Sequence, residues 1–292
     1  MEIILENQRL RVTVDTLGAE ITSIIYKETS RECVWPGDAA WWKRHTPVLF
    51  PIVGALWDGT ARIDGKEYRM SQHGFARDME FSVMEHTSDS ATFVLESNDA
   101  TRALYPYSFR LHITHSITEE GSVTTAWRVE NAGTGEMHFQ IGGHPAYMVP
   151  DIDPEAPASG SLSLTGQGIY AITKIGAKGC VKSGETPLTA DEIILRPDTF
   201  AGDAIIFEQP CPRKVEMYDR HGRSVLTFRS ECPALGIWAP CKGEHAPFVC
   251  IEPWWGRTDR EDYAGGFADK EYMQHLNAGE SARGSWEVIF HG

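Results

Sequence analysis

Apolar and polar residues alternate with a period of two along most of this chain, the pattern of strands with one face in a core. Leu10, Val12 and Val14 mark one such run. A second, Ile21 to Tyr26, follows a turn at Leu17-Gly18-Ala19. Asp64-Gly65 ahead of Lys66 to Met70 is a hairpin signal. The clearest alternation is at 107–117, where Phe109, Leu111, Ile113, His115 and Ile117 interleave with Arg110, His112, Thr114 and Ser116. The run Ser122 to Glu130 is expected to pair with 136–141 across the loop Asn131-Ala132-Gly133-Thr134-Gly135. Further strands are expected at 81–86, 91–96, 161–165, 193–195, 204–208, 214–219, 224–229, 235–238, 247–251 and 285–290. No long stretch holds a 3.6-residue period. Asp269 to Leu276 is the best short helix, and 38–46 reads as a short helix or a loop.

Two stretches break the alternation. Thr46 to Gly54 is apolar but carries Pro47 and Pro51, so it cannot be a central strand and is expected to line something. The segment 150–160 holds three prolines and is expected to form a surface loop, long enough to act as a rim. Many short strands between frequent turns predict an all-β sandwich or barrel with few short helices. With no repeat, low-complexity block or linker, residues 1–292 are expected to form a single domain.

Composition narrows the partners. The chain has 292 residues and a formal charge of −14, which argues against nucleic acid or an anionic membrane as the main partner. No apolar run approaches the roughly 18 residues needed to span a bilayer. The N-terminus MEIILENQRL lacks the basic start and apolar run of a secretory signal. Six cysteines without a CxxC pair, and no export signal, suggest reduced thiols in a cytoplasm and no cysteine-based zinc site. There is no P-loop, no Gly-x-Gly-x-x-Gly after a strand and no Gly-x-Ser-x-Gly elbow, so neither a nucleotide cofactor nor a serine nucleophile has a visible seat.

The candidate chemistry lies in three short segments. In Phe248-Val249-Cys250-Ile251-Glu252-Pro253-Trp254-Trp255-Gly256, four strand-forming residues run into a carboxylate, and the proline, tryptophans and glycine are expected to end the strand there. A glutamate so placed meets little water, and its pKa is free to move. Indole faces such as Trp254 suit stacking on sugar C–H surfaces. His144 follows Gly142-Gly143 and precedes Pro145, which biases it to extended backbone. His73 sits in Gln-His-Gly-Phe-Ala-Arg, where Gly74 permits a sharp turn. His73, His144 and Glu252 could by residue type form a metal triad, but their wide spacing lends that no support. Arg44, Arg77 and Asp203 each have a plain structural explanation as well, and Trp35, Trp41, Trp42 and Trp57 read as core.

Taken together and in this order, His-Gly-Phe-Ala-Arg (73–77), Gly-Gly-His-Pro-Ala-Tyr (142–147) and Ile-Glu-Pro-Trp (251–254) resemble the aldose 1-epimerase (galactose mutarotase) family. Leu17-Gly18-Ala19, Arg44 ahead of Pro47-Val48-Leu49-Phe50-Pro51, and Asn131-Ala132-Gly133 extend the resemblance over nearly the whole chain. It implies a large antiparallel β-supersandwich and a sugar, free or phosphorylated, as the small-molecule partner. It implies Glu252 as general base, His144 as general acid, and His73, Asp203 and Arg44 or Arg77 as substrate contacts. No metal or redox cofactor is implied. The two glycines before His144 depart from the Asn-rich segment of the best-known galactose mutarotases. The His-Gly-Phe-Ala-Arg form is closer to divergent branches, one of which acts on hexose 6-phosphates. On this reading acid and base work from opposite sides of the sugar ring. The rivals are a non-catalytic sugar-binding or sensing protein on the same fold and, further off, a metal-dependent hydrolase. If the sugar carries a phosphate, Lys43, Arg44 and Arg77 are the candidate cations.

Overall fold

The computed structural model describes residues 1–165, 170–182 and 188–292. The protein is a large antiparallel β-supersandwich. Among the described residues, one nine-stranded sheet runs in the order 192–195, 160–165, 214–219, 224–230, 281–290, 122–131, 109–117, 90–96, 82–86. The facing layer is ordered 188–190, 170–174, 205–208, 234–238, 248–255, 141–143, 48–49, with Ala146–Met148 also on the 248–255 strand. The alternation legible in the sequence is what fills the space between them: Leu111, Ile113, Trp127, Val129, Val288 and Phe290 turn inward from the first sheet, and Ile237, Val249 and Ile251 meet them from the second. A four-stranded sheet of residues 2–32 flanks this core. The predicted hairpin is present, with Asp64 and Gly65 both at positive φ as a type I′ turn requires. No helix among the described residues is long and apolar enough to cross a membrane.

Four local expectations fail, each for a visible reason. Ser122–Asn131 does not pair with 136–141; its neighbours are Phe109–Ile117 and Ser281–Phe290. The Asn131 side chain donates to the carbonyls of Gly135 (2.7 Å) and Leu276 (2.9 Å) and accepts from the Gly133 N–H, which turns the chain out of that sheet. Met137–Phe139 then pairs with Gln274–Leu276. The same pairing displaces the helix expected at 269–276, where one 3₁₀ turn, Phe267–Asp269, precedes the strand. Residues 38–46, for which a short helix or a loop is expected, take the loop alternative. The one described α-helix, Asp99–Leu104, was not foreseen; an Asn98–Thr101 capping box starts it.

The fourth correction bears on function. The strand does not stop at Glu252 but continues through Pro253 and Trp254 to Trp255. On one side it pairs with Ala234–Trp238 along its length, with Gly236 opposite Glu252. On the other it has two half-length partners, Ala146–Met148 opposite 248–250 and Ile141–Gly143 opposite 254–255. The break between them is His144-Pro145. Ladder bonds alternate sides along a strand. Ile251 donates toward Pro145 (3.2 Å), so an N–H at 253 would point the same way, into the break. Proline is therefore tolerated mid-sheet, and Glu252 and His144 are brought side by side.

Candidate active site

The break in the ladder opens at the base of a cleft of about 750 Å³, within the roughly 300–1,000 Å³ range of small-molecule sites. Glu252, His144, His73, Arg44, Arg77, Asp203 and Trp254 all border it. Lys43, Trp42, Gln72, Phe200, Trp238 and Thr258 complete much of the wall. The loop 150–160, expected as a rim, does not line it. The turns at 42–44 and the segment 200–204 do. Gly54 contributes from the proline-bearing segment, as that segment's apolar, irregular character suggests.

At the base, His144 Nε2 and Glu252 Oε2 are 3.3 Å apart. That separation leaves no room for a sugar ring between them, so, contrary to the sequence-based expectation, the two groups do not flank a ring from opposite sides. Both converge on one point. Glu252 is 1% exposed, and its Oε2 has no hydrogen-bond partner among the described residues. Burial pushes its carboxyl well above the usual carboxylate range; Trp254 opposes the shift and the Asp203 charge adds to it. Burial also pushes the His144 imidazole down to about 3, against its own backbone and with help from the Arg77 and Arg44 charges. Each group is thus driven toward its neutral form. A neutral carboxylic acid beside a neutral imidazole holds the same protons as a carboxylate beside an imidazolium, so one proton transfer interconverts the two.

The supports of this pair are specific. His144 is stacked under Trp42, ring centroids 4.7 Å apart, and meets the edge of Trp238 at 5.7 Å. Trp42 is fixed in turn by the Trp35 Nε1–H, which donates to its carbonyl at 2.7 Å. Trp42 is therefore a wall of the cleft rather than core; nothing in its sequence neighbourhood distinguishes it from Trp41. A Cβ at Gly143 would lie 2.6 Å from the Trp286 ring, and one at Gly236 would lie 2.4 Å from Trp254. These glycines let the strands close on the indoles.

His73 has φ +67 and Gly74 φ +71; a Cβ at 74 would sit 2.2 Å from the Phe50 carbonyl oxygen. The Gly54 N–H donates to His73 Nδ1 at 3.1 Å, so the ring proton resides on Nε2. Burial, the neighbouring His144 and the charges of Arg77 and Arg44 hold His73 well below the usual histidine value. It is a neutral N–H donor 5.5 Å, ring to ring, from His144.

Lys43, Arg44 and Arg77 line one side of the cleft. Asp78 pairs with Arg44 at 2.9 Å and approaches Arg77 at 4.0 Å, while Arg77 Nη2 donates to the Gln72 carbonyl at 2.6 Å. Arg77 Nε, the atom Asp78 approaches, is buried and makes no hydrogen bond to the described residues, and burial with the Arg44 charge lowers this guanidinium to about 10. Asp203 also lines the cleft, at φ +73, its carboxylate accepting from the Ala204 N–H at 2.7 Å. For a metal, the cleft assembles His144, Glu252 and Cys250 within 4.8 Å of one another. His73 is not in that group.

Comparison with known proteins places these features in context. Residues 1–290 match the aldose 1-epimerase family. A galactose mutarotase related enzyme from Lactobacillus acidophilus superposes with a TM-score of 0.93 at 30% identity, covering 100% of this chain and 98% of that one. A galactose mutarotase-like protein from Lactobacillus casei gives 0.89 at 28% identity, with full coverage of both chains. The chromosomal LacX protein of Lactococcus lactis is 28% identical over 304 residues, 99% of each chain.

Proposed function

Given that the chain belongs to the aldose 1-epimerase family, we propose that it is a mutarotase, interconverting the α and β anomers of an aldose by acid–base ring opening and closure. The observation that carries this reading is the His144–Glu252 pair, 3.3 Å apart at the base of a sugar-sized cleft, with Oε2 unpartnered. Ring opening removes a proton from the anomeric hydroxyl and delivers one to the ring oxygen. Those two oxygens are bonded to the same carbon, so the groups that serve them must lie next to each other.

Glu252 takes the hydroxyl proton and His144 gives its proton to the ring oxygen. The free aldehyde turns about the C1–C2 bond and closes on its other face, with the two groups exchanging roles. To begin, one proton passes from Glu252 to His144. The incoming polar sugar lowers the cost of separating that charge in a dry site. Each group is worth roughly 10² to 10⁴ in rate. The His73 Nε2–H and Asp203 hold hydroxyls, and Trp42, Trp238 and Trp254 offer apolar faces to the sugar.

The sugar itself is the finer question. On the lining, Lys43, Arg44 and Arg77 present three cations against the Asp203 carboxylate and a Glu252 held toward neutrality, with Asp78 beside the arginines, in a chain of net charge −14. That local excess favours an anionic substituent, and a hexose 6-phosphate is the second reading it supports. A purely sugar-binding role is less well supported, since binding alone does not call for a buried carboxyl and imidazole with opposed pKa shifts. Anomer exchange, followed by polarimetry or saturation-transfer NMR over free hexoses, pentoses and hexose 6-phosphates, tests all three. Exchange well above the buffer-catalysed rate for one class supports the enzyme. Binding without exchange across the panel supports the sensing protein instead.

A further inference from the structure

Away from the cleft, a second cluster of ligating side chains lies on the two-stranded ribbon formed by Met137–Phe139 and Gln274–Leu276. His138 and His275 are direct partners across this ribbon, and their Nδ1 atoms face each other at 3.0 Å. Glu136, two residues before His138 and so on the same face of the extended chain, brings Oε1 to 3.7 Å from His275 Nδ1 and Oε2 to 3.9 Å from His138 Nε2. One ligand atom from each of the three lies within 4.8 Å of the others. His138 is largely covered, while His275 and Glu136 are about half exposed.

We propose that Glu136, His138 and His275 form a binding site for a divalent transition-metal ion of the zinc type. Two donors on a tetrahedral ion at 2.0–2.1 Å stand roughly 3.3 Å apart; the spacings of 3.0 and 3.7 Å here bracket that value. Two imidazoles and one carboxylate suit Zn²⁺, Ni²⁺ or Cu²⁺ and not Ca²⁺ or Mg²⁺, which take oxygen. The carboxylates of Asp64 and Asp269 lie within electrostatic reach of His138 and add to the attraction for a cation. The exposed side leaves the remaining coordination positions to water. An ion held here bridges two strands 137 residues apart in sequence. It would pin the segment after the 267–269 turn to the strand that leads to His144.

The test uses the untagged full chain, titrated with Zn²⁺ by calorimetry and followed by thermal unfolding. The wild type is expected to bind one more equivalent than His275→Gln or His138→Gln, and to gain melting temperature with Zn²⁺ where those variants do not. Glu136→Gln should weaken that equivalent about tenfold or more. His275 is exposed, so His275→Gln is expected to fold and to keep its metal-free anomer exchange. The group at His144, Cys250 and Glu252 stays intact in all three variants. An equal number of equivalents in wild type and His275→Gln therefore puts the ion elsewhere and overturns the proposal, as does the absence of uptake by the wild type at about 100 µM Zn²⁺, a concentration that would half-fill a site of that Kd.

Discussion

At the scale of single residues, the account turns on how much burial does to three side chains. Glu252, His144 and His73 are each forced toward neutrality by the same dry surroundings. Two of them share protons and the third offers a fixed N–H. On the proposed reading the cations of the cleft act on a different part of the sugar. If the substrate is a hexose 6-phosphate, Arg77→Gln and Arg44→Gln should each raise its KM about tenfold or more with a smaller change in kcat, because a charge-assisted contact is lost equally in the ground and transition states. The same variants should leave a free hexose nearly unaffected. Steady-state kinetics on the paired substrates reads this directly. Equal effects on both would mean the arginines serve the hydroxyls or the fold.

At the scale of elements, the decisive feature is the interrupted ladder on the strand Phe248–Trp255. His144-Pro145 makes the break between the two partner strands, and glycines at 143 and 236 let the flanking strands close on indoles where a Cβ would collide. Gly143→Ala or Gly236→Ala should cost about 1–3 kcal/mol of stability through overpacking, measured by denaturant unfolding. Gly236→Ala should also lower anomer exchange, since the ring it displaces, Trp254, is the one that bears on Glu252. Much of this layer was legible beforehand. Period-two alternation gave the strands, and the three short motifs drew attention to the residues that now share a cleft. The pairing at 136–141 was not legible, because a side chain, Asn131, redirects the backbone and side-chain bonding leaves no periodic trace. The reach of the central strand past Glu252 was hidden for a related reason. Proline ordinarily ends a strand, and only the partner's break at His144-Pro145 makes Pro253 harmless. Trp42 reads as core in the sequence and Trp238 draws no attention there, because an indole on a cleft wall and one in a core have the same local sequence.

For the molecule as a whole, buried neutral histidines set the response to acid. The His115 Nε2–H donates to the Ala19 carbonyl and its Nδ1 accepts from the Thr125 hydroxyl, both at 2.9 Å, and burial lowers the imidazole to about 4. In the unfolded chain it titrates near its ordinary value of about 6.5. Its stabilising share is therefore complete above pH 6.5 and is lost as pH falls toward 4, amounting to about 3 kcal/mol over the full range. His144 and His73 are depressed in the same direction and steepen the loss. The raised Glu252 works oppositely: its neutral form is favoured in the folded state, so stability declines as pH rises above the ordinary carboxylate value. Denaturant midpoints taken from about pH 7.5 to 4.5 should fall, and His115→Gln should flatten the curve. A profile unchanged by that substitution would remove His115 from the explanation.

The interrupted ladder sets a buried carboxyl and imidazole side by side at the base of the cleft, and the central claim is that proton exchange with an anomeric centre happens there. The most direct test is the rate of anomer exchange by Glu252→Gln, measured by saturation-transfer NMR on whichever aldose or aldose phosphate the wild type turns over, alongside the affinity for that sugar. The account predicts a fall of roughly 10²-fold or more in kcat, with sugar binding largely retained. Exchange at close to the wild-type rate in a folded, sugar-binding Glu252→Gln protein would contradict it.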